Sequence, residues 1–256
     1  MATQRPQGAT CRGYRCNSST LIAAHIIPEG FGRFVRGNGP NMTITLESAG
    51  YAKPQLGQYD NQILCASCDN KLGVFDNYAL QVCARFKGEH KILTSDRFEL
   101  KDVDGDKFAK FVLAILWRGS ISARPDYSNI SLGPYEDIAR DVLFGAKPLS
   151  SFAEFQVIVQ RYTSNHFDTE GFYSLPVRGR MPELKLNSYS LSLAGFRVTA
   201  KLDAKPFPSQ LKSFIINGQN LLRGFVLEIE QTPEFERIAS MMVADRSRQS
   251  GGRTRK

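Results

Sequence analysis

Two short cysteine pairs constrain this chain more than any other feature: Cys11-x4-Cys16, and further along Cys65-x2-Cys68. Each spacing lets a tight turn aim two thiolates at one ion, and two such turns make the four-sulfur tetrahedron that zinc favours. The alternative is four unliganded, partly buried thiols. Cys83 stands apart in the apolar segment Tyr78-Ala-Leu-Gln-Val-Cys and reads as a small core hydrophobe. An odd count of five cysteines argues against a disulfide framework, as does a first stretch of twenty residues without an apolar segment. The same lack of a leader, with no apolar run long enough for a membrane span, predicts a soluble cytoplasmic protein.

Between the pairs lies Ala23-Ala24-His25-Ile26-Ile27-Pro28. Leu21 to Ile27 is apolar and strand-like, and Pro28 ends it. A histidine there points either into the core or into a site. Residues 29–60 read as a long loop rich in Gly and Pro. Next, Asn61-Gln-Ile-Leu-Cys-Ala-Ser-Cys-Asp-Asn reads as a short strand, a cysteine turn and a helix start, which Asp69 and Asn70 suit as N-terminal residues. Asp69 and Asp76, seven residues apart, share a helix face if the helix passes Gly73.

The ordered set Cys-Cys, Ala-His-Ile-Ile-Pro, Asn, Leu-Cys-x-x-Cys-Asp resembles the HNH endonucleases, whose ββα-metal core is here in the version braced by a four-cysteine zinc. The resemblance covers residues 11 to about 80. It implies a treble-clef/ββα-metal module in which a divalent Mg²⁺ or Mn²⁺ ion assists DNA phosphodiester hydrolysis. His25 would be the general base, Asn61 would hold the imidazole or its loop, and Asp69 would take the slot of the closing His or Asn. Imidazole suits general-base work because its ordinary titration falls near neutrality. Three positions depart from the family pattern. Ala24 stands where many relatives carry a metal-binding Asp, Asp69 replaces the final His, and Asp60 occupies the place where Asn is more usual. The metal ligands implied are therefore Asp69 and Asp76, with Asp60 a further possibility. A catalytically inactive, zinc-stabilised module that binds nucleic acid or a protein partner is the alternative that Ala24 and Asp69 favour. His90 and His166 read as surface and loop residues.

The net charge of +8 is uneven: residues 1–36 carry +4, residues 246–256 carry +5, and the stretch between them totals −1. That distribution fits a polyanion-binding protein, with Arg12, Arg15, Arg33 and Arg36 as phosphate contacts flanking His25. It equally fits a solubilising surface with a disordered basic tail at 246–256. Hydrophobic residues at 42% and charged residues at 23% exclude wholesale disorder.

Beyond the cysteine module, Phe108, Phe111, Val112, Ile115 and Leu116 recur at helical spacing and predict a helix with one apolar face. Residues 133–145 predict a second helix, with Pro in the first turn and Gly at the end. From about 152 the pattern turns to strands at Phe155–Val159, Ser188–Leu193, Phe196–Leu202, Phe214–Ile216 and Leu221–Ile229. Asn217-Gly218 marks a hairpin turn, and residues 233–243 form a closing helix. The chain thus reads as α+β: a zinc-binding module at 1–100, then an α+β domain at 101–245 with a helical middle and an antiparallel sheet. The later half would direct the nuclease, as in restriction or phage-defence enzymes, or bind a protein partner.

Overall fold

The computed structural model describes residues 9–36, 44–46, 50–52, 58–89, 91–94, 96–166, 168–171, 173–181, 185–232, 235, 236, 239 and 240. The His25 segment forms β1 (Ala24–Ile27), and the chain turns at the buried Pro28 directly into helix α1 (Glu29–Arg36). This corrects the reading of 29–60 as loop. Gly30 and Gly32 mask the helix in the sequence. Its support is local: Glu29 faces the positive helix start and pairs with Arg33 one turn on at 2.7 Å. Phe31 anchors the helix, fully buried. A hairpin of β2 (Ile44–Leu46) and β3 (Gly50–Ala52) follows, then β4 (Gln58–Asp60), which returns antiparallel to β1 with Ala24 opposite Asp60 and His25 opposite Tyr59. Helix α2 (Ala66–Glu89) then runs 24 residues without a break at Gly73, about 36 Å of continuous rod.

Strands β5 (Lys91–Thr94) and β6 (Arg97–Lys101) lead to helix α3 (Gly105–Ile121) and, after irregular turns, to α4 (Glu136–Leu143). The Asp104 side chain caps α3 by accepting from Lys107 N–H at 2.9 Å. Helix α3 is not amphipathic in its surroundings: Phe108, Ala109 and every residue from Phe111 to Gly119 are buried. The one-sided face expected from its spacing became an enclosed helix because α2, α4, β1 and the main sheet all approach it. Phe31 of α1 stacks on Phe111 at 5.0 Å, tying the cysteine module to this hub.

The sheet is completed by β7 (Phe155–Thr163), β8 (Ser174–Met181), β9 (Leu186–Leu193), β10 (Phe196–Leu202) and β11 (Leu221–Glu228). Its seven strands run in the order β5-β6-β11-β7-β10-β9-β8, antiparallel except for the parallel β11–β7 pair. The molecule is mixed α/β. β9 and β10 meet through Ala194-Gly195, both at positive φ (50° and 77°), the two-residue turn whose twist matches the strands. A side chain at Gly195 would collide with the Arg161 guanidinium, 1.7 Å from where a Cβ would stand.

Several expectations shift. Phe214 closes a 3-10 turn rather than opening a strand, and Ile215 alone bridges to Ile158. Asn217-Gly218 turns the chain, with Gln219 N–H donating to the Ile216 carbonyl at 3.1 Å, but it joins no hairpin. The Asn217 amide instead braces β7, accepting from Val157 N–H and donating to the Phe155 carbonyl, and β11 then runs along the same edge of β7, parallel to it from Val159 onward. The boundary drawn at residue 100 falls inside β6, and one continuous core runs from Cys11 to Leu222. Of the expected closing helix, Phe235, Glu236, Ala239 and Ser240 are helical. The basic tail and His90 lie outside the described residues.

Candidate metal centre and the His25 face

The loop from Cys11 to Cys16 folds as a knuckle because its backbone bonds are made locally and to the second cysteine segment. Cys16 N–H donates to the Gly13 carbonyl at 3.2 Å, and Arg15 takes a left-handed φ of 51° to close the turn. Arg12 N–H donates to the Ile63 carbonyl and Ile22 N–H to the Leu64 carbonyl, clamping the two cysteine segments side by side. Gly13 is required by proximity: a Cβ there would sit 2.4 Å from Cys68 Sγ. Cys65 precedes α2, and Cys68 sits in its first turn.

All four sulfurs, those of Cys11, Cys16, Cys65 and Cys68, consequently lie within 4.8 Å of one another, with Cys16 and Cys65 at 3.8 Å. Four thiolates around a zinc ion with bonds of about 2.3 Å stand about 3.8 Å apart, so the cluster fits a tetrahedral metal such as zinc. Backbone N–H groups of Gly13 and Cys65 donate to Cys11 Sγ at 3.4 and 3.3 Å. Burial pushes the Cys11 and Cys68 thiols up. Burial acts upward on Cys65 as well, but the Cys68 N–H and the neighbouring thiols donate to it and bring it down to about 7. No other set of three His, Cys, Asp or Glu side chains among the described residues converges closely enough to hold a metal. Cys83 is buried and free, as a core hydrophobe should be.

The two-stranded sheet separates two kinds of side chain. Ala24 and Asp60 face the interior, while their neighbours His25 and Tyr59 form the opposite face, rings edge-on with centroids 6.1 Å apart. His25 is half-buried. Asp69, in the first turn of α2, is close enough to sense the charges of His25, Arg118 and Asp76. Burial raises its carboxyl above the ordinary carboxylate range, opposed by Arg118 and His25. No side-chain hydrogen bond or ion pair engages Asp69 among the described residues.

The other carboxylates are occupied. Asp76 does share the Asp69 side of α2, yet both of its oxygens accept from the buried Arg118, at 2.8 and 2.9 Å. Asp60 accepts from Gln62 N–H at 2.8 Å and from the Ser122 hydroxyl at 2.6 Å. Asp69 and Asp76 therefore do not fit a two-carboxylate site for Mg²⁺ or Mn²⁺, and Asp69 alone is available. Asn61 follows β4 and is half-buried, without a side-chain hydrogen bond among the described residues.

The candidate phosphate-contact arginines are differently engaged. Arg12 pairs with Glu136 at 3.3 Å, Arg33 with Glu29, and Arg15 lies over the Tyr14 ring at 5.1 Å. The side chain of Arg36 lies outside the described residues. His166 is exposed. Nothing in the sequence singles out Tyr59 or Arg124, whose roles depend on distant partners. For Arg118 the sequence signal is a charge directly after the apolar run Phe108–Trp117.

Comparison with protein-family models, curated proteins and solved structures gives no match to the chain. No helix among the described residues is long and apolar enough to cross a membrane.

Proposed function

We propose that this chain is an HNH-type endonuclease that hydrolyses DNA phosphodiester bonds, with His25 as general base and a structural zinc in the four-cysteine cluster. One observation carries the reading. Beside the cysteine cluster, β4 returns antiparallel to β1 with His25 opposite Tyr59, and α2 follows β4 with Asp69 in its first turn, a strand pair and helix of the kind the resemblance implies.

In this reading the His25 imidazole accepts a proton from water as the water oxygen bonds to phosphorus. The P–O bond to the departing strand breaks, and the released oxygen takes a proton from solvent. Asn61 steadies the loop beside the imidazole. A Mg²⁺ or Mn²⁺ ion held by Asp69 and the phosphate itself would stabilise charge as a Lewis acid, since Mg²⁺ is commonly bound through one or two carboxylates plus substrate phosphates. Arg15 and neighbouring arginines favour the polyanion.

The test is plasmid nicking with Mg²⁺ or Mn²⁺ beside His25→Ala prepared identically. Cutting should fall by about 10²–10⁴-fold, the usual contribution of a general base, with metal content and melting temperature unchanged. Equal cutting by both proteins would remove His25 from the chemistry. The occupied carboxylates of Asp60 and Asp76 favour a second reading, a zinc-stabilised module that holds nucleic acid or a protein partner without cutting it. DNA retention without nicking by the wild type would select that one.

A further inference from the structure

Strand β4 is inside out. Its sequence Gln58-Tyr59-Asp60 buries the amide and the carboxylate, at 2% and 6% exposure, and leaves the aromatic ring 44% exposed. Tyr59 and Val74 are the exposed large hydrophobic side chains among the described residues. Hydrophobic burial alone would choose the opposite register, because a shift of one residue exchanges the faces of a strand. Polar bonds pin the register that is seen. Gln58 accepts from Arg124 at 3.0 Å, Asp60 accepts from Ser122, and a second Arg124 nitrogen donates to the Tyr59 carbonyl at 3.1 Å. The ring is therefore presented on a fixed backbone, directly across from His25, with no hydrogen bond to its hydroxyl among the described residues.

We infer that Tyr59 is a stacking platform for an unpaired nucleobase beside the phosphate that His25 addresses, so that the site takes single-stranded nucleic acid. The inference rests on the nuclease reading above. Every base offers a π-face, and exposed aromatic side chains next to positive charge are how proteins grip single strands without reading sequence. The His25 and Tyr59 ring centroids lie 6.1 Å apart, so a base on the Tyr59 ring would sit beside the group that His25 faces. A paired base inside a duplex cannot offer its face to such a ring without first leaving the stack. Arg15, over the Tyr14 ring on the knuckle, is exposed and makes no ion pair among the described residues.

The experiment measures affinity of the full chain for a short oligothymidine and for the same strand paired with oligoadenine, using Tyr59→Leu and Tyr59→Phe. Leucine should weaken single-strand binding by about fivefold or more, the scale of one lost stack, and shift duplex binding less than about twofold. Phenylalanine should bind as the wild type does. An independent arm leaves the protein unchanged and moves a single abasic nucleotide along the oligothymidine; one position should reproduce the loss seen with leucine. Equal loss on both substrates, no loss with leucine, or a flat abasic profile in a protein that still nicks plasmid would overturn the Tyr59 inference and leave the nuclease reading standing. A wild type that neither binds nor cuts nucleic acid would overturn both.

Discussion

The face around His25 and the seven-stranded sheet treat polar side chains in opposite ways. In the sheet they are consumed: Tyr162 and Ser192 share a hydrogen bond at 3.0 Å, Arg223 pairs with Glu99 at 2.7 Å, and Arg161 donates to the Ala194 carbonyl and to Glu170 while lying over Phe86 and Phe196. Around His25 the carboxylates that fasten the module are equally consumed, but Asp69 has no side-chain partner among the described residues and Tyr59 is exposed. Reactive capacity sits where the fold has not already used the group. That contrast favours the cysteine module over the sheet as the place for the proposed chemistry.

The largest test of the contrast is metal removal. Cys65→Ala or Cys68→Ala should unfold the module, because metal binding and folding free energy are one quantity at such a site. Loss of zinc from the purified protein together with loss of a cooperative melt is the expected result. A zinc-free variant that melts as sharply as the wild type would show that the knuckles fold without an ion. Next in size is Arg118→Met. It leaves Asp76 buried without its partner and should cost about 3–5 kcal/mol in chemical denaturation. Changing Asp76 to Asn as well should recover part of that loss, which would mark the pair as scaffold; no recovery would mean that Arg118 serves Asp69 instead.

The smallest effect belongs to the sheet half. Asp203 accepts from the backbone N–H groups of Asn187 and Lys205, both at 2.9 Å, and these hold its carboxyl below the ordinary range. A depressed carboxyl contributes stability that is complete above the unfolded-state value and disappears as pH falls through the folded-state value. Asp203→Ala should therefore lower the melting temperature slightly at neutral pH, and the two proteins should converge in acid below the ordinary carboxylate range. A difference that persists there would mean that packing, not charge, accounts for it.

Much of the scaffold was legible because its signals are local. The cysteine spacings, the apolar strand ending at Pro28, the periodicity of Phe108 to Leu116 and the Gly145 stop each concern neighbours along the chain. What the sequence hid depends on partners far away. Strand β8 contains Pro176 and Gly179 and becomes a strand only at the edge of a sheet that β9 supplies. Helix α1 is rich in glycine and is held by Phe31 on Phe111. Asp76 reads as a metal ligand until Arg118, 42 residues on, is brought to it. For the candidate site, residue types were readable and their availability was not, since availability is decided by who else reaches the same oxygen.

The 3.8 Å between Cys16 and Cys65 spans 49 positions of chain, so an ion held there is also a cross-link that closes a long ring. Ring-closure entropy grows only with the logarithm of length, about 0.6 kcal/mol for each doubling. The stretch holding α1, the β2–β3 hairpin and β4 is thereby tethered at both ends to the same point, and its middle can gain or lose residues at little thermodynamic cost. In polymer terms the cysteine centre is a knot that frees the loop beyond it to vary, while the two strands nearest the knot stay in register.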